Sequence, residues 1–247
     1  MKHPVVHVTE DPGPVAGRLV REALAARVAH TGRGRLGLSG GSSPTPVFEW
    51  LRDNLRPEIY PSLWITWVDE RHLPVATGAG PANWDRRSNI RLAYESWLSA
   101  APRNPACILP MVKGGTLDVD LAAFRAEFDH EFAGHLDVAL LGAGPDGHIA
   151  SLFPGRPELD EVEARALAVR RSPKPPPERI TLTLPVLQAV DRAVLVARGE
   201  AKAAVLARAW AGDSSIPLGR YRPQGSWHWV LDAAAAADLP PEALEDA

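Results

Sequence analysis

Asp137-Val-Ala-Leu-Leu-Gly-Ala-Gly-Pro-Asp-Gly-His-Ile-Ala-Ser-Leu-Phe-Pro154 is the stretch around which the chain is organised. Val138 to Leu141 is a short unbroken apolar run, the pattern of a strand buried on both faces of a parallel sheet. It stops at Gly142-Ala-Gly-Pro-Asp-Gly147, where glycines and a proline oppose regular structure and specify a tight loop. Asp146 and His148 leave that loop just beyond the carboxyl end of the strand. Ligands of open α/β sheets gather in the crevice outside the strand carboxyl ends, so an acid and an imidazole stand where chemistry is done. The same residues also fit a plainer reading, in which Asp146 caps a helix starting near Gly147 and His148 is an ordinary loop residue.

The same order of strand, glycine loop and helix is expected in Leu36-Gly-Leu-Ser-Gly-Gly-Ser-Ser-Pro-Thr-Pro-Val-Phe-Glu-Trp-Leu51, with Ser43 as N-cap and Pro44 opening the helix. Ahead of it, Val5 to Val8 suits an edge strand. Val15 to Val28 carries Leu19, Val20, Ala23, Leu24 and Val28 at helical spacing. Leu63 to Val68 is a further strand, with Asp69-Glu-Arg-His72 at its carboxyl end. A proline- and glycine-containing loop runs to Arg87, and Ser88 caps a helix from Asn89 to about Leu98. Leu117 to Phe132 is amphipathic and leads into the Val138 strand.

Beyond Pro154, Ala166 to Val169 fits a short strand, and Pro173-Lys-Pro-Pro-Pro177 a stiff surface crossing. Arg179-Ile-Thr-Leu-Thr-Leu184 alternates with period two, as a strand with one wet face does. Ala193 to Ala197 is a buried strand, Gly199 a turn, Ala201 to Trp210 a helix, and Trp227 to Leu231 a last strand before an alanine-rich helix. The alternation predicts an α/β fold: a single doubly wound, mostly parallel sheet with helices on both faces, Rossmann-like, in one domain over residues 1–247.

Composition narrows the function classes. A formal net charge of -3 leaves no basic footprint, so nucleic acid is not an expected partner. A single cysteine, Cys107, excludes internal disulfides and a cysteine-rich zinc site. The N-terminal residues lack the apolar core of a signal peptide, and no run approaches a membrane span. A cytoplasmic chain with no membrane partner is expected, as a monomer or weak homodimer.

Several residues could carry chemistry. Ser39, Gly40, Gly41 and Ser42 follow a strand, so their backbone N–H groups can approach an anion ahead of a helix N-terminus. The pattern is neither a P-loop nor G-x-G-x-x-G, which argues against a nucleotide, and a plain strand-to-helix turn fits it equally. Lys202 falls in the first turn of a helix, where the macrodipole disfavours a cation by about 0.3–1 kcal/mol unless an anion compensates; a solvated Lys beside Glu200 is the alternative. Arg179 opens a strand and could fork onto a phosphate or face water. Asp69 could orient a base or bind a sugar hydroxyl, and Arg71 could bind a carboxylate or phosphate. His130 and His135 are five residues apart and share no helical face, so no metal site is expected. Gly-Leu-Ser39-Gly-Gly is not a nucleophile elbow.

Taken in order, Ser39-Gly-Gly-Ser-Ser-Pro44, Asp69-Glu-Arg71, Ser88-Asn89, Leu141 to Pro154, Arg179-Ile-Thr-Leu-Thr183 and Gly199-Glu-Ala-Lys-Ala203 resemble the 6-phosphogluconolactonases over nearly the whole chain. The resemblance implies a cytosolic enzyme of the pentose phosphate pathway, with a fold shared with glucosamine-6-phosphate deaminases and no metal or other cofactor. It implies that His148 is the catalytic group and that the glycine loop, Arg179 and Lys202 surround the phosphate of a phosphosugar lactone. Asp146 or Asp69 would then fix the imidazole tautomer, and Arg71 would stabilise the oxyanion. The deaminases carry Gly-His-Ile-Ala-Phe-Asn-Glu-Pro, whose Glu serves ring opening, where this chain has Phe153. Phe exchanges no protons, which favours lactone hydrolysis over deamination. A non-catalytic sugar-phosphate sensor would need a DNA-binding segment, for which there is no spare length or basic patch.

Overall fold

The computed structural model describes residues 2–75 and 80–244. Part of the loop expected before Arg87, residues 76–79, lies outside them. β1 (Val5–Val8) leads into α1 (Pro12–Thr31). Asp11 caps α1 by accepting from Gly13 N at 3.2 Å, and Gly32, left-handed at φ 73°, ends it. Then follow β2 (Gly34–Leu38), α2 (Thr45–Asn54), β3 (Leu63–Trp67), β4 (Asp69–Arg71), α3 (Asn89–Ser96), β5 (Cys107–Leu109) and α4 (Leu117–Phe132). The second half holds β6 (Val138–Gly142), β7 (Ala166–Val169), β8 (Arg179–Leu182), α5 (Leu184–Gln188), β9 (Arg192–Ala197), α6 (Ala203–Trp210), α7 (Pro217–Arg220) and β10 (Ser226–Leu231).

The expected parallel sheet is present, seven-stranded in the order β1-β10-β9-β6-β2-β3-β5. From β2 the chain winds outward through β3 to β5. It then returns to β6 and winds the other way through β9 to β10. The reversal falls between β2 and β6, paired by Leu36 opposite Val138 and Leu38 opposite Leu140. Both of the glycine loops picked out in the sequence therefore leave the sheet at its topological switch point, on either side of one crevice.

A second sheet was not expected. β4, β8 and β7 form a three-stranded antiparallel sheet that continues from the end of β3, where Leu182 N donates to Val68 O at 2.8 Å. It corrects the reading of β8: all of Arg179–Leu182 is buried, so the alternation separates a polar from an apolar interior face rather than water from core.

Other expectations also change. No helix follows Gly147; the chain makes tight turns with an isolated bridge between Ile149 and Leu152, so Asp146 is not a helix cap. Ser43 does not cap α2, which begins at Thr45 with no side-chain cap, because Gly41 to Pro44 are spent in the turn. Lys202 ends a short 3-10 turn, Glu200–Lys202, just ahead of α6. The alanine-rich segment after β10 is a run of turns, its start held by Asp232, whose carboxylate accepts from Gly199 N and Ala235 N.

Candidate active site

The crevice at the switch point is a cleft of about 210 Å³, and of the residues expected at the site all but Asp146 line it. On the β2 side, Ser39 N donates to Leu140 O at 3.0 Å and ties the glycine loop to β6. Gly40 lies against the Asn89 side chain, where a Cβ would collide with the amide, and Gly41 sits at φ +96°. Among the described residues, the N–H groups of Gly40, Gly41 and Ser42 donate to no protein acceptor. That leaves a nest of free donors in front of α2.

On the β6 side, Gly144 and His148 close the loop through Gly144 N to His148 O at 2.9 Å. His148 Nδ1 lies 2.5 Å from Asp146 Oδ1. Burial pushes the Asp146 carboxyl up, but the His148 hydrogen bond and the nearby Lys174 outweigh it and hold the group well below the usual carboxylate range. An ionised carboxylate only accepts, so Nδ1 is the nitrogen that donates to Asp146. The buried Phe153 ring backs the imidazole, with centroids 4.7 Å apart.

Asp69, the other candidate for orienting His148, is engaged elsewhere. Ser151 Oγ donates to its Oδ2 at 2.6 Å, Asn89 Nδ2 donates to its backbone O at 2.8 Å, and Arg179 lies 3.8 Å away. Its neighbour Glu70 is buried and is drawn upon by Ser88 Oγ and by the N–H groups of Asn89, Ile90 and Arg71, so it anchors the start of α3. Burial pushes its carboxyl up to about 7 against the pull of those N–H groups.

Four cations line the cleft: Arg71, Lys174, Arg179 and Lys202. Arg71 and Arg179 stand directly opposite each other on β4 and β8, a like-charge pairing that costs stability unless an anion lies between them. Arg71 donates to Arg87 O through one nitrogen, while its buried Nε has no protein partner. Arg179 turns its donors into the chain, to Pro176 O at 3.2 Å, Lys174 O at 2.9 Å and Ser151 Oγ at 3.3 Å. Burial, with Lys174 nearby, holds the Lys202 ammonium below its ordinary value.

The model of the family of glucosamine-6-phosphate isomerases and 6-phosphogluconolactonase matches residues 13–229. The chain belongs to that family. It is 35% identical to the 6-phosphogluconolactonase of Streptomyces coelicolor over 85% of this chain and 78% of that one. The solved 6-phosphogluconolactonase of Thermotoga maritima superposes with a TM-score of 0.81 at 22% identity, over 93% of this chain and all of that one. A monomeric glucosamine-6-phosphate deaminase superposes with a TM-score of 0.73 at 17% identity, over 96% of this chain and all of that one. The family fold thus serves both names, but the relative at 35% identity is a lactonase, whereas the deaminase is a likeness of fold alone.

Within this family member two cleft residues, Lys174 and Asn89, and the buried Ser151 carried no assigned role in the sequence. Lys174 was hidden in a proline run that looked like surface. Asn89 and Ser151 fall inside motifs the sequence singled out, but only the fold brings both to Asp69. At the amino ends of β6 and β9, His135, Asp137 and Asp191 offer ligand atoms within 4.8 Å of one another, which sequence spacing did not suggest. There Arg27 already lies against both acids, at 2.8 Å from Asp137 and 3.5 Å from Asp191.

Proposed function

We propose that the chain hydrolyses 6-phospho-D-glucono-1,5-lactone to 6-phospho-D-gluconate, a step of the pentose phosphate pathway, with His148 as general base. The observation that carries this reading is the Asp146–His148 hydrogen bond at the mouth of a cleft rich in cations and free N–H groups. The phosphate docks on Gly40, Gly41 and Ser42. Lys202 faces it, and Arg179 supplies charge rather than hydrogen bonds because its donors are spent on the chain.

Asp146 holds the proton on Nδ1. Nε2 then takes a proton from water as the water oxygen bonds to the lactone carbonyl carbon. Negative charge collects on the carbonyl oxygen, within reach of the cleft's cations, Arg71 among them. As the carbonyl re-forms, the bond to the ring oxygen breaks and Nε2 returns its proton to that oxygen. Water is consumed, no covalent enzyme intermediate forms, and no metal or cofactor is called on. General base action is worth about 10²–10⁴-fold, enough for a strained ester that is already reactive in water.

Phe153 decides against deamination. It stands where the deaminase pattern has the ring-opening Glu, is 1% exposed, and packs on the base itself. Among the described residues no helix is long and apolar enough to cross a membrane. A single domain acting in the cytoplasm, as a monomer or weak homodimer, fits this role. The test is lactone hydrolysis measured by proton release, beside ammonia release from glucosamine 6-phosphate. Hydrolysis lost in His148→Ala by at least about 10²-fold is expected. Efficient ammonia release by the wild type would overturn the choice of reaction.

A further inference from the structure

Lys174 stands against the reacting imidazole. Its Nζ lies 3.3 Å from His148 Nδ1 and 3.4 Å from Asp146 Oδ1. The backbone that carries it is pinned from several sides. Arg179 donates to the carbonyls of Lys174, Pro175 and Pro176, at 2.9, 3.4 and 3.2 Å. Ser172 Oγ donates to Lys174 O and accepts from Lys174 N, and Ser172 N donates to Pro177 O. A buried guanidinium that makes three of its four hydrogen bonds to one proline strap makes sense if the strap delivers something, and what it delivers is the Lys174 ammonium.

The electrostatics say why a cation is wanted there. Asp146 engages Nδ1 at 2.5 Å, and the ring can take a proton from water only while its other nitrogen is unprotonated. The charged groups facing the ring are Asp146 from its own loop, Lys174 from the strap and Lys202 from the turn before α6. Phe153 supplies an apolar wall, and on the small sheet Asp69, Arg71 and Arg179 face one another, with Arg179 5.7 Å from the centre of the Phe153 ring. We propose that Lys174 is a positioning residue for the general base: its ammonium keeps the His148 imidazole neutral and proton-accepting, and Arg179 holds it there through the strap backbone. The same repulsion drives the proton, once taken from water, on to the departing ring oxygen. The inference rests on His148 acting as the base.

The experiment compares kcat/KM against pH for the wild type, Lys174→Met, Lys174→Arg and His148→Ala, with the His148 ring followed by NMR in the first three. Lys174 is 39% exposed, so its replacement leaves the core untouched. In Lys174→Met the acid limb and the ring's titration midpoint should both move up by about one pH unit, with rates converging on wild type at high pH. Lys174→Arg should keep both within a few tenths of a unit, roughly. A Lys174→Met profile lowered equally at every pH, or an unmoved ring midpoint, overturns the role of Lys174 and leaves the dyad standing. Full turnover in His148→Ala overturns the base assignment itself, whatever Lys174 does.

Discussion

Gly144 shows how closely the site is fitted at the scale of single residues. A Cβ at this position would run into the His148 ring at Nδ1 and crowd Asp146 Oδ1. Only glycine lets the loop pass under an imidazole that must stay within hydrogen-bond reach of its acid. Gly144→Ala should therefore push the ring off its place and cut kcat by about 10²-fold, the usual cost of a misplacement near 1 Å. Wild-type kcat in a folded Gly144→Ala protein would show that the ring's position is not what matters. Gly40 has the same kind of constraint against Asn89, so both glycine loops are glycine-rich for want of space as well as for their turns.

At the scale of elements, the parallel pair β1 and β10 buries a polar contact at the sheet edge. His7 Nε2 lies 3.2 Å from His228 Nδ1, and the two rings stack. Burial, then Arg192 and His7, push the His228 imidazole down to about 4 from 6.5. The unfolded chain therefore binds more protons than the folded one between those values. Stability from this group is whole above about 6.5 and is lost as pH falls toward about 4. Discounted for partial solvent access, the loss is about 2 kcal/mol. His228→Gln should flatten the drop in Tm between pH 6.5 and 4 relative to wild type, as calorimetry would read. Parallel Tm curves would remove His228 from the acid response.

The whole molecule gathers positive charge at the switch-point crevice, and the chain meets only part of it, through Asp69 beside Arg179 and Asp146 beside Lys174. Arg71 and Arg179 are paired across a ladder, Lys202 and Lys174 are close enough to repel, and the N–H groups of the β2 loop are unspent. A bound anion should therefore stabilise the fold markedly. At 100 times its Kd, 6-phosphogluconate is expected to add about 2.7 kcal/mol, read as a rise in Tm of roughly 5–10 °C. Lys202→Ala should weaken that response. No shift with either 6-phosphogluconate or inorganic phosphate would mean that the crevice is not the anion site.

Much of this protein was legible in its sequence because the signals are local. The buried run Val138 to Leu141, the glycines after it and the Ser88 cap each act within a few residues, so strands, loops and the positions of Asp146, His148 and the Ser39 to Ser42 loop followed from pattern. Phe153 could likewise be read in register against its deaminase counterpart. What the sequence could not decide depends on pairing between distant segments. The small sheet forms because Asp69 to Arg71 meets Arg179 to Thr181 across a long stretch of chain, and that meeting sets two arginines opposite each other. Asp69 and Asp146 looked equally able to hold His148. Only the fold commits Asp69 to Ser151 and Asn89 and leaves Asp146 on the imidazole. Lys174 lay unnoticed among prolines because its meaning comes from where a buried Arg179 anchors it. Local chemistry named His148 and two candidate acids, and long-range packing chose between them.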